Sequence, residues 1–405
     1  MFKRFVLLGA LIVILGACSL NTPKVVDTPT TANSASPLPA TSAPAPSPTM
    51  IPSTATAIPP TATLAPTATA APQGYGPKDF PLNVDPLTGL PVSNPALLSH
   101  RPLSVKIQIF PRGQRPPWGI SLADLVYDYY QNNGLTRLHA IFYGSSASQV
   151  GPIRSARLFD ANVVRMYKTI FAFGGADQRI LTRFVNAEFA DRLVLEGGHN
   201  CPPMCRIEPN SYNYLITSTT ELSKYAESKG VKDDRQDLNG MTFHPTIPDG
   251  GTPGSQVYTR VSISAYSRWD YDPASGRYLR FQDNQEDTGQ GEAYVPLVDR
   301  LNNQQASSAN VVELFVPHEF VVKSGASEIV DILLSGSGDA VAFRDGKAYK
   351  VKWNRPTLDS VLYLTFPDGS NYPFKPGNTW FEVVGQSSKT ELKDTGVWRF
   401  TNSLP

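Results

Sequence analysis

The sequence predicts an N-terminal domain of the α/β or α+β class with a mixed sheet, followed by a smaller all-β domain. Between residues 103 and 185, strand-like runs alternate with helical patterns, as in layered α/β and α+β folds. From residue 310 to residue 365, short apolar runs are separated by turns, which is typical of a β-sandwich or barrel. We therefore expect a first domain at residues 75–302 and a β-rich domain at residues 303–405.

Each predicted strand is a short, largely apolar run bounded by turn residues. In the first half of the chain such runs occupy residues 103–110, 122–131, 135–143 and 169–173. Asn132, Asn133 and Gly134 separate the second run from the third and favour a hairpin turn. Further strands are expected at residues 256–266, 269–281, 311–316, 329–334, 340–343, 348–353 and 360–365.

Two helices are predicted between these strands. The first covers about residues 155–167, because four apolar residues can share one face there: Leu158, Val163, Val164 and Tyr167. The second begins after Asp177, which can cap it, and ends near Val185. Helices placed between strands are what favours a layered fold for this half of the chain.

The N-terminus predicts a signal peptide at residues 1–17. Lys3 and Arg4 supply positive charge, residues 5–17 are almost wholly apolar, and Cys18 follows directly. A cysteine in this position resembles the signals of bacterial lipoproteins, so we expect Cys18 to be acylated. An ordinary signal peptide or a short membrane anchor is the alternative, although thirteen apolar residues are too few to span ~30 Å of hydrocarbon.

A long spacer follows the predicted acylation site. Residues 28–77 contain no charged residue and consist largely of Pro, Thr, Ala and Ser. Such a segment buries too little apolar surface to offset the entropy of ordering, so we expect a disordered stalk with polyproline II character at residues 18–74. Two interpretations stay open, a stalk that lifts the domain through wall polymer and a spacer with no length requirement. The anchor places the folded region outside the cytoplasm, in the cell envelope.

Seven stretches of the folded region are distinctive. They are DPLTGLPV at residues 85–92, GISLADLVY at 119–127, GLTRLHAIF at 134–142, VGPIRSAR at 150–157, WDYDPASGRYLR at 269–280, GSGDAVAFRDGK at 336–347 and PGNTW at 376–380. Together they resemble the YerB-type lipoproteins, a bacterial family of unknown function. The resemblance implies a two-part fold and an envelope location, but no established activity. The family has Pro-His-Asn where this chain has Ser211, Tyr212 and Asn213, so Asn213 is kept while the histidine is not.

The residues that follow Gly151 and Pro152 predict an anion-binding site. Arg154 and Arg157 are expected at the start of a helix, where the backbone already carries positive charge and unpaired NH groups. Cations in that position favour a bound phosphate or carboxylate. Neighbouring strands are expected to bring further groups to the same edge of the sheet. The candidate ligand-binding residues are Arg137, Arg154, Ser155, Arg157, Asp177 and Asn213.

Two alternatives to this site stay open. In the first, Arg154 and Arg157 form structural ion pairs with nearby acids, namely Asp124, Asp128 and Asp160. In the second, the layout of residues 123–177 is similar to that of the LytR–CpsA–Psr phosphotransferases. That resemblance implies that Arg154 and Arg157 bind a polyprenyl pyrophosphate and that Asp124 binds a metal or acts as a base.

Cys201 and Cys205 are the two cysteines that remain beside Cys18. Outside the cytoplasm, a disulfide that closes a short loop is the favoured interpretation. A zinc site that includes His199 and a pair of free thiols are the alternatives.

Composition narrows the class of function. The chain has 36 basic and 35 acidic residues, which argues against nucleic-acid binding. No nucleotide-binding motif is visible, and we expect no cofactor and no metal. The sequence favours an accessory or binding lipoprotein whose partners are the membrane, through Cys18, and a wall polymer or an envelope protein. A cell-wall phosphotransferase and a structural scaffold without a small-molecule ligand are the alternatives, so whether the protein is an enzyme stays open.

Overall fold

The structure is a computed structural model that describes residues 73–197, 201–208, 214–324 and 327–405. The predicted signal peptide, Cys18 and the stalk up to residue 72 lie outside the described residues, and so do His199 and Asn213. All of the described residues belong to one compact unit, Ala68–Pro405.

The described part of the chain contains three α-helices: α1 (Asp160–Tyr167), α2 (Gln178–Val185) and α3 (Thr219–Ser228). Helix α2 begins after Asp177, whose carboxylate accepts the amide hydrogen of Arg179 at 3.0 Å, so the predicted cap is confirmed. Short 3-10 helices occupy Pro95–Ser99, Arg112–Gln114, Ile120–Leu122 and Ala190–Arg192.

Helix α1 is shorter than predicted, because it begins at Asp160 and not near residue 155. The backbone before it is extended and bonds to two neighbouring segments. The amide of Arg154 donates to the carbonyl of Lys106 at 3.0 Å, and the amide of Ala156 donates to the carbonyl of Gly175 at 2.7 Å. Arg154 and Arg157 therefore precede the helix, and their predicted position at its start is wrong.

The described residues form twenty-four strands. The first twelve are β1 (Leu103–Ile107), β2 (Leu125–Asn132), β3 (Leu135–Phe142), β4 (Ile170–Phe173), β5 (Leu193–Leu195), β6 (Cys205–Arg206), β7 (Leu215–Ile216), β8 (Thr242–Phe243), β9 (Thr252–Pro253), β10 (Gln256–Arg260), β11 (Tyr266–Asp272) and β12 (Arg277–Asp283). The other twelve are β13 (Tyr294–Pro296), β14 (Ser307–Ser308), β15 (Asn310–Val316), β16 (His318–Ser324), β17 (Ser327–Ile332), β18 (Gly336–Arg344), β19 (Lys347–Arg355), β20 (Tyr363–Thr365), β21 (Pro373–Phe374), β22 (Thr379–Gly385), β23 (Lys389–Asp394) and β24 (Val397–Thr401).

The large sheet has eleven strands and combines both halves of the chain. Its order is β20-β19-β18-β15-β22-β2-β3-β1-β4-β5, and β9 pairs with β19. Strand β22 runs parallel to β2 on one side and parallel to β15 on the other. Strand β1 runs antiparallel to β3 and parallel to β4. The sheet is therefore mixed, and strands from before and after residue 302 lie together in it.

A second sheet of seven strands packs on one face of the large sheet. Its order is β13-β12-β11-β10-β24-β23, and β14 pairs with β12. Because side chains alternate between the two faces of a strand, Val126 joins the core with Trp269 of the second sheet. Its neighbour Tyr127 joins the core with Met166 of α1 on the opposite face. The predicted fold class is confirmed, since helices lie beside a mixed sheet in the first half and the second half is rich in strands.

Three buried acidic side chains lie side by side between the two sheets. Glu313 of β15 is in register with Glu382 of β22, which is in register with Asp128 of β2. Arg280 of β12 bonds to Asp128 at 2.7 Å and also to Glu382. Thr259 donates to Glu313 from the second sheet. One guanidinium group thus faces a row of three carboxyl groups.

Burial and mutual repulsion raise the pKa of these carboxyl groups. Burial and the proximity of Asp128 raise the pKa of Glu382 to about 7. Burial and the neighbouring Glu382 hold the pKa of Glu313 well above its usual range. A carboxyl group with a raised pKa holds more protons in the folded chain than in the unfolded chain. The stability that this row contributes is therefore complete below the unfolded pKa of 4.5 and is lost as the pH rises through about 7.

We expect the variant Glu313→Gln to be more stable than the native protein at pH 8, by about 1–3 kcal/mol, and close to it at pH 5. The amide keeps the shape and the acceptor for Thr259 but cannot carry a buried negative charge. Urea unfolding at the two pH values measures the difference. Glu227→Gln, at an exposed residue of α3, is the matched control. A gain of equal size at both pH values would contradict the assignment of the charge to this row.

Candidate functional site

The predicted arginine residues meet beside a cavity of about 500 Å³. Arg137, Arg154 and Ser155 line this cavity, which lies where β3 begins and where the extended segment before α1 passes. Arg157 lies alongside, since its Nη2 donates to the side-chain oxygen of Gln131 in the cavity wall at 3.3 Å. Four of the six candidate residues are thus brought together, and Asn213 is among the residues that the structure does not describe.

Arg137 is held rigidly at the base of this group. Its Nη1 donates to the carbonyl of Ser155 at 2.6 Å. Its Nε is buried and has no hydrogen-bond partner among the described residues. Burial and the nearby guanidinium group of Arg157 lower the pKa of Arg137 to about 9. Burial is the larger cause, and the like charge of Arg157 adds to it.

Arg154 and Arg157 are oriented by amide and carbonyl oxygens. Arg154 donates through Nε to the side-chain oxygen of Gln108. Arg157 donates through Nη1 to the carbonyl of Ala156 at 3.0 Å. The buried Nε of Arg157 has no partner within the described ranges, and burial lowers the pKa of this guanidinium group. These oxygens fix the direction of the Arg154 Nε and of the Arg157 side chain.

A buried polar network lies directly beneath the arginine residues. Asp160 accepts hydrogen bonds from Tyr129 and from His139, the latter at 2.8 Å, and lies 3.3 Å from the ammonium group of Lys106. Its second oxygen accepts the backbone amide of Arg157 at 2.6 Å. The network therefore links residues 154–157, which we call the arginine segment, to β1, β2 and β3.

The charges of this network are balanced internally. Burial lowers the pKa of Lys106 to about 7, with Arg137 and Arg157 adding to the effect and Asp160 opposing it. Burial also lowers the pKa of His139. The cations and hydrogen bonds around Asp160 outweigh its burial and hold the pKa of that carboxyl group below its usual range. Asp160 is therefore ionised and already engaged.

The acids that the sequence offered as ion-pair partners bind elsewhere. Asp128 pairs with Arg280 on the opposite face of the sheet at 2.7 Å. Asp124 accepts the backbone amides of Tyr143 and Gly144, beyond the far end of β3. Asp160 meets the backbone amide of Arg157 and not its guanidinium group. This differs from the predicted structural network, and it also places Asp124 away from the cavity, contrary to the layout that a phosphotransferase would need.

Asp177 lies near the arginine residues but has a different structural role. It caps α2 and binds the side chain of Arg179 with both oxygens at 2.9 Å. Bonds from Arg179 lower the pKa of Asp177 to about 2. Its charge is felt by Arg157, although Asp177 does not line the cavity. The carboxylate is thus a neighbour of the site, already bound to a cation of its own.

Sequence reasoning missed Lys106, Gln108 and Gln131. A signal was present, because Ser104, Lys106 and Gln108 occupy alternate positions of one predicted strand. Alternation of this kind is usually taken to mean a solvent-facing side. Here that side faces the helix layer, and all three side chains are nearly inaccessible, at 0–2% exposure.

The loop at residues 201–205 is closed by a disulfide. Cys201 and Cys205 are bonded through their sulfur atoms, with the two Cα atoms 4.8 Å apart. Strand β6 begins at Cys205 and pairs with β7, and β7 continues into Thr217, which bonds to Val150. The disulfide therefore lies one strand away from the arginine segment.

The arrangement is suited to binding an anion. The cavity wall offers guanidinium, amide and hydroxyl donors, from Arg137, Gln108 and Ser155. Within the described ranges, no group of three or more His, Cys, Asp or Glu side chains is arranged to hold a metal ion. Donors of these kinds are what a phosphate or a carboxylate requires.

We expect Asp160→Asn to destabilise the protein by about 3–5 kcal/mol, because it leaves Lys106 buried beside two arginine residues without its counter-charge. Urea unfolding at pH 6, where Lys106 is charged, measures the loss. The control Asp339→Asn removes a carboxylate whose side chain is 75% exposed, and should change stability by less than about 0.5 kcal/mol. Equal losses in the two variants would show that Asp160 does not hold this network together.

Two family models together cover most of the folded region. The N-terminal domain of the family described as "Protein of unknown function (DUF3048)" matches residues 87–232. The C-terminal domain of the same family matches residues 257–381. The match in two consecutive parts agrees with the two-part layout that the sequence predicts.

A curated relative and a solved structure agree with this assignment. The chain is 26% identical over 310 residues to "Putative lipoprotein YerB" of Bacillus subtilis (strain 168), which covers 74% of this chain and 85% of the relative. A crystal structure of the YerB protein from Bacillus subtilis matches with a TM-score of 0.60 at 23% identity, over 74% of this chain and 96% of that chain. The fold is therefore shared, and the resemblance to YerB-type proteins predicted from the sequence is confirmed. The chain belongs to the DUF3048 family of proteins of unknown function.

Proposed function

We propose that this protein is a lipid-anchored binding protein of the cell envelope and that its arginine site holds the anionic group of its ligand. The observation that carries this proposal is the pair Arg137 and Arg157. Each has a buried Nε without a partner in the described part of the chain, and the charges of both guanidinium groups lower the pKa of Lys106. Binding of an anion lowers the free energy of a site of this kind.

The balance of charge supports the same conclusion. The charges of Arg137 and Arg157 both lie near one buried carboxylate, Asp160. That carboxylate is already bound by Lys106 and His139. Burying like charges together is costly unless they are compensated. A bound phosphate or carboxylate supplies the missing compensation and can accept two parallel bonds from a guanidinium group.

The proposed location rests on the N-terminus and on the relative. Cys18 follows a short apolar run, and the YerB relative is named as a putative lipoprotein. In the described ranges the longest α-helix, α3, has ten residues, and none is long and apolar enough to cross a bilayer. Acyl chains on Cys18 would hold the protein at the membrane surface, where a wall polymer or an envelope protein is within reach.

We expect Arg137→Gln to weaken anion binding by at least about tenfold, because a charge-assisted hydrogen bond contributes roughly 1.5–3 kcal/mol. Sulfate is the probe, and calorimetric titration of the full chain in detergent is the measurement. Arg179→Gln is the matched control, since Arg179 is a 54% exposed side chain paired with Asp177 outside the cavity. A native protein that takes up no sulfate, or an unchanged affinity in Arg137→Gln, would remove the proposed site.

We expect the affinity for sulfate to fall roughly 5- to 10-fold between pH 6 and pH 8. Lys106 has its pKa lowered to about 7, partly by Arg137 and Arg157. An anion that offsets those two charges raises the pKa of Lys106, so binding takes up a proton and weakens as the pH rises. The charged and titratable groups around Lys106 are Asp160, Tyr129, His139, Arg137 and Arg157.

Sulfate stays a dianion between pH 6 and pH 8, so the fall in its affinity reflects titration of the protein. Lys106→Met should flatten the pH dependence. The heat of binding at pH 7.5, measured in buffers of different ionisation enthalpy, reports proton uptake by the native chain without any substitution. Binding that takes up no proton would exclude Lys106 as the coupled group.

A further inference from the structure

The loop closed by the disulfide is attached to β7 in three ways. Strand β6 begins at the second cysteine and pairs with β7. The hydroxyl group of Thr217, directly after β7, donates to the carbonyl of Pro203 inside the loop at 2.8 Å. Met204, also inside the loop, is buried in the same apolar cluster as Leu215 of β7 and Ile153. Strand pairing, a side-chain hydrogen bond and apolar packing thus connect the loop to this strand.

Strand β7 in turn holds the backbone that leads into the arginine segment. The amide of Ile153 donates to the carbonyl of Leu215 at 2.7 Å. Val150 and Thr217 exchange two backbone hydrogen bonds, at 2.8 and 3.0 Å. The next amide along, that of Arg154, bonds to β1 on the other side. The arginine segment is therefore supported from two sides, by β1 and by β7.

The two supports differ in strength. Strand β1 lies inside the eleven-stranded sheet, whereas β6 and β7 form a separate sheet of two strands with two residues each. A two-stranded hairpin is only marginally stable unless other contacts hold it. The disulfide is such a contact, because it fixes the residue at which β6 begins.

The position of the arginine segment determines where two guanidinium groups point. Arg137 donates through Nη1 to the carbonyl of Ser155 at 2.6 Å, and Arg157 donates through Nη1 to the carbonyl of Ala156 at 3.0 Å. A binding site needs its charged groups held to within about 0.5 Å of the productive geometry. Movement of the backbone at residues 153–156 would therefore disturb both groups.

The disulfide is accessible, and its constraint is local. Cys201 is exposed and Cys205 is partly exposed, and an attacking thiolate must reach one of the two sulfur atoms. The cysteines are separated by four positions, and a disulfide constrains the unfolded chain less when it closes a shorter loop. Arg206 of β6 also pairs with Glu196 at 2.5 Å, a contact that does not involve the disulfide. Opening the bond should therefore loosen the loop and leave the large sheets folded.

We propose that the Cys201–Cys205 disulfide is a redox switch for anion binding. The closed form holds β6, β7 and the arginine segment in place, and the open form binds the anion more weakly. The co-reactant is a dithiol. It gives up two electrons and two protons and becomes a disulfide, while the two sulfur atoms of the loop become thiols. This inference rests on the proposed function, since it concerns the regulation of the same site.

The test is calorimetric titration of the full chain in detergent with sulfate, before and after reduction with dithiothreitol and transfer to oxygen-free buffer. We expect the reduced chain to bind sulfate at least about fivefold more weakly, and reoxidation to restore the affinity. Equal affinities of the oxidised and reduced chains would overturn this inference and leave the anion site intact. If the oxidised chain takes up no sulfate, the proposed function itself fails.

The double variant Cys201→Ser/Cys205→Ser assigns the effect to this disulfide. It should bind sulfate as weakly as the reduced native chain and should not respond to dithiothreitol. A variant that binds as tightly as the oxidised native chain, or that still responds to dithiothreitol, would contradict the switch. The comparison of the oxidised and reduced native chains needs no substitution, so it decides the question even where the variant does not fold.

Hydrogen exchange separates a local switch from a general loss of stability. After reduction, the amides of Val150 and Ile153 should exchange at least about tenfold faster, because their acceptors lie on and beside β7. The amides of β22, in the middle of the large sheet, are the control and should be unchanged. Faster exchange in both regions would show that the disulfide supports the whole fold and would overturn the switch. Unchanged exchange at Ile153 would exclude β7 as the connection.

Discussion

The parallel pairing of β22 with β2 and β15 is the constraint on which the rest of the structure depends. Strand β22 is buried along its whole length and lies at the middle of the large sheet. Without it, β2 and β15 would each present an open edge of unpaired backbone groups. The strand also carries Glu382 and Trp380, which meet Arg280 of the second sheet. One segment therefore joins the two halves of the sheet and the two sheets to each other.

The large sheet carries polar groups on both faces, and each set is neutralised differently. On the side of the second sheet, Arg280 lies against the rings of Trp269 and Trp380, 4.9 Å from each centroid, and faces the carboxyl row. Protons retained on the carboxyl groups complete that balance. On the side of α1, Asp160 lies near three cations, Lys106, Arg137 and Arg157. Guanidinium groups keep their charge at any ordinary pH, and this is the face for which an anionic ligand is proposed.

Local features could be predicted from the sequence. Prediction failed where contacts with distant parts of the backbone determine the local conformation. The strands near residues 103–110 and 135–143, the cap at Asp177 and the gathering of Arg137 with Arg154 and Arg157 follow from short-range patterns. The start of α1 does not, because residues 154–156 are held extended by Lys106 and Gly175. Gln108 and Lys106 were overlooked because strand alternation tells which residues share a face but not what covers it. The insertion of β22 between two earlier strands leaves no mark in any local pattern.

The position of β22 along the chain has a consequence for how the protein is made. Residues 379–385 leave the ribosome after both of the strands that they join, β2 and β15. The growing polypeptide therefore cannot close this sheet until β22 has been synthesised. Truncated chains that lack these residues would expose two unpaired strand edges. Such chains would be substrates for proteases and not functional fragments.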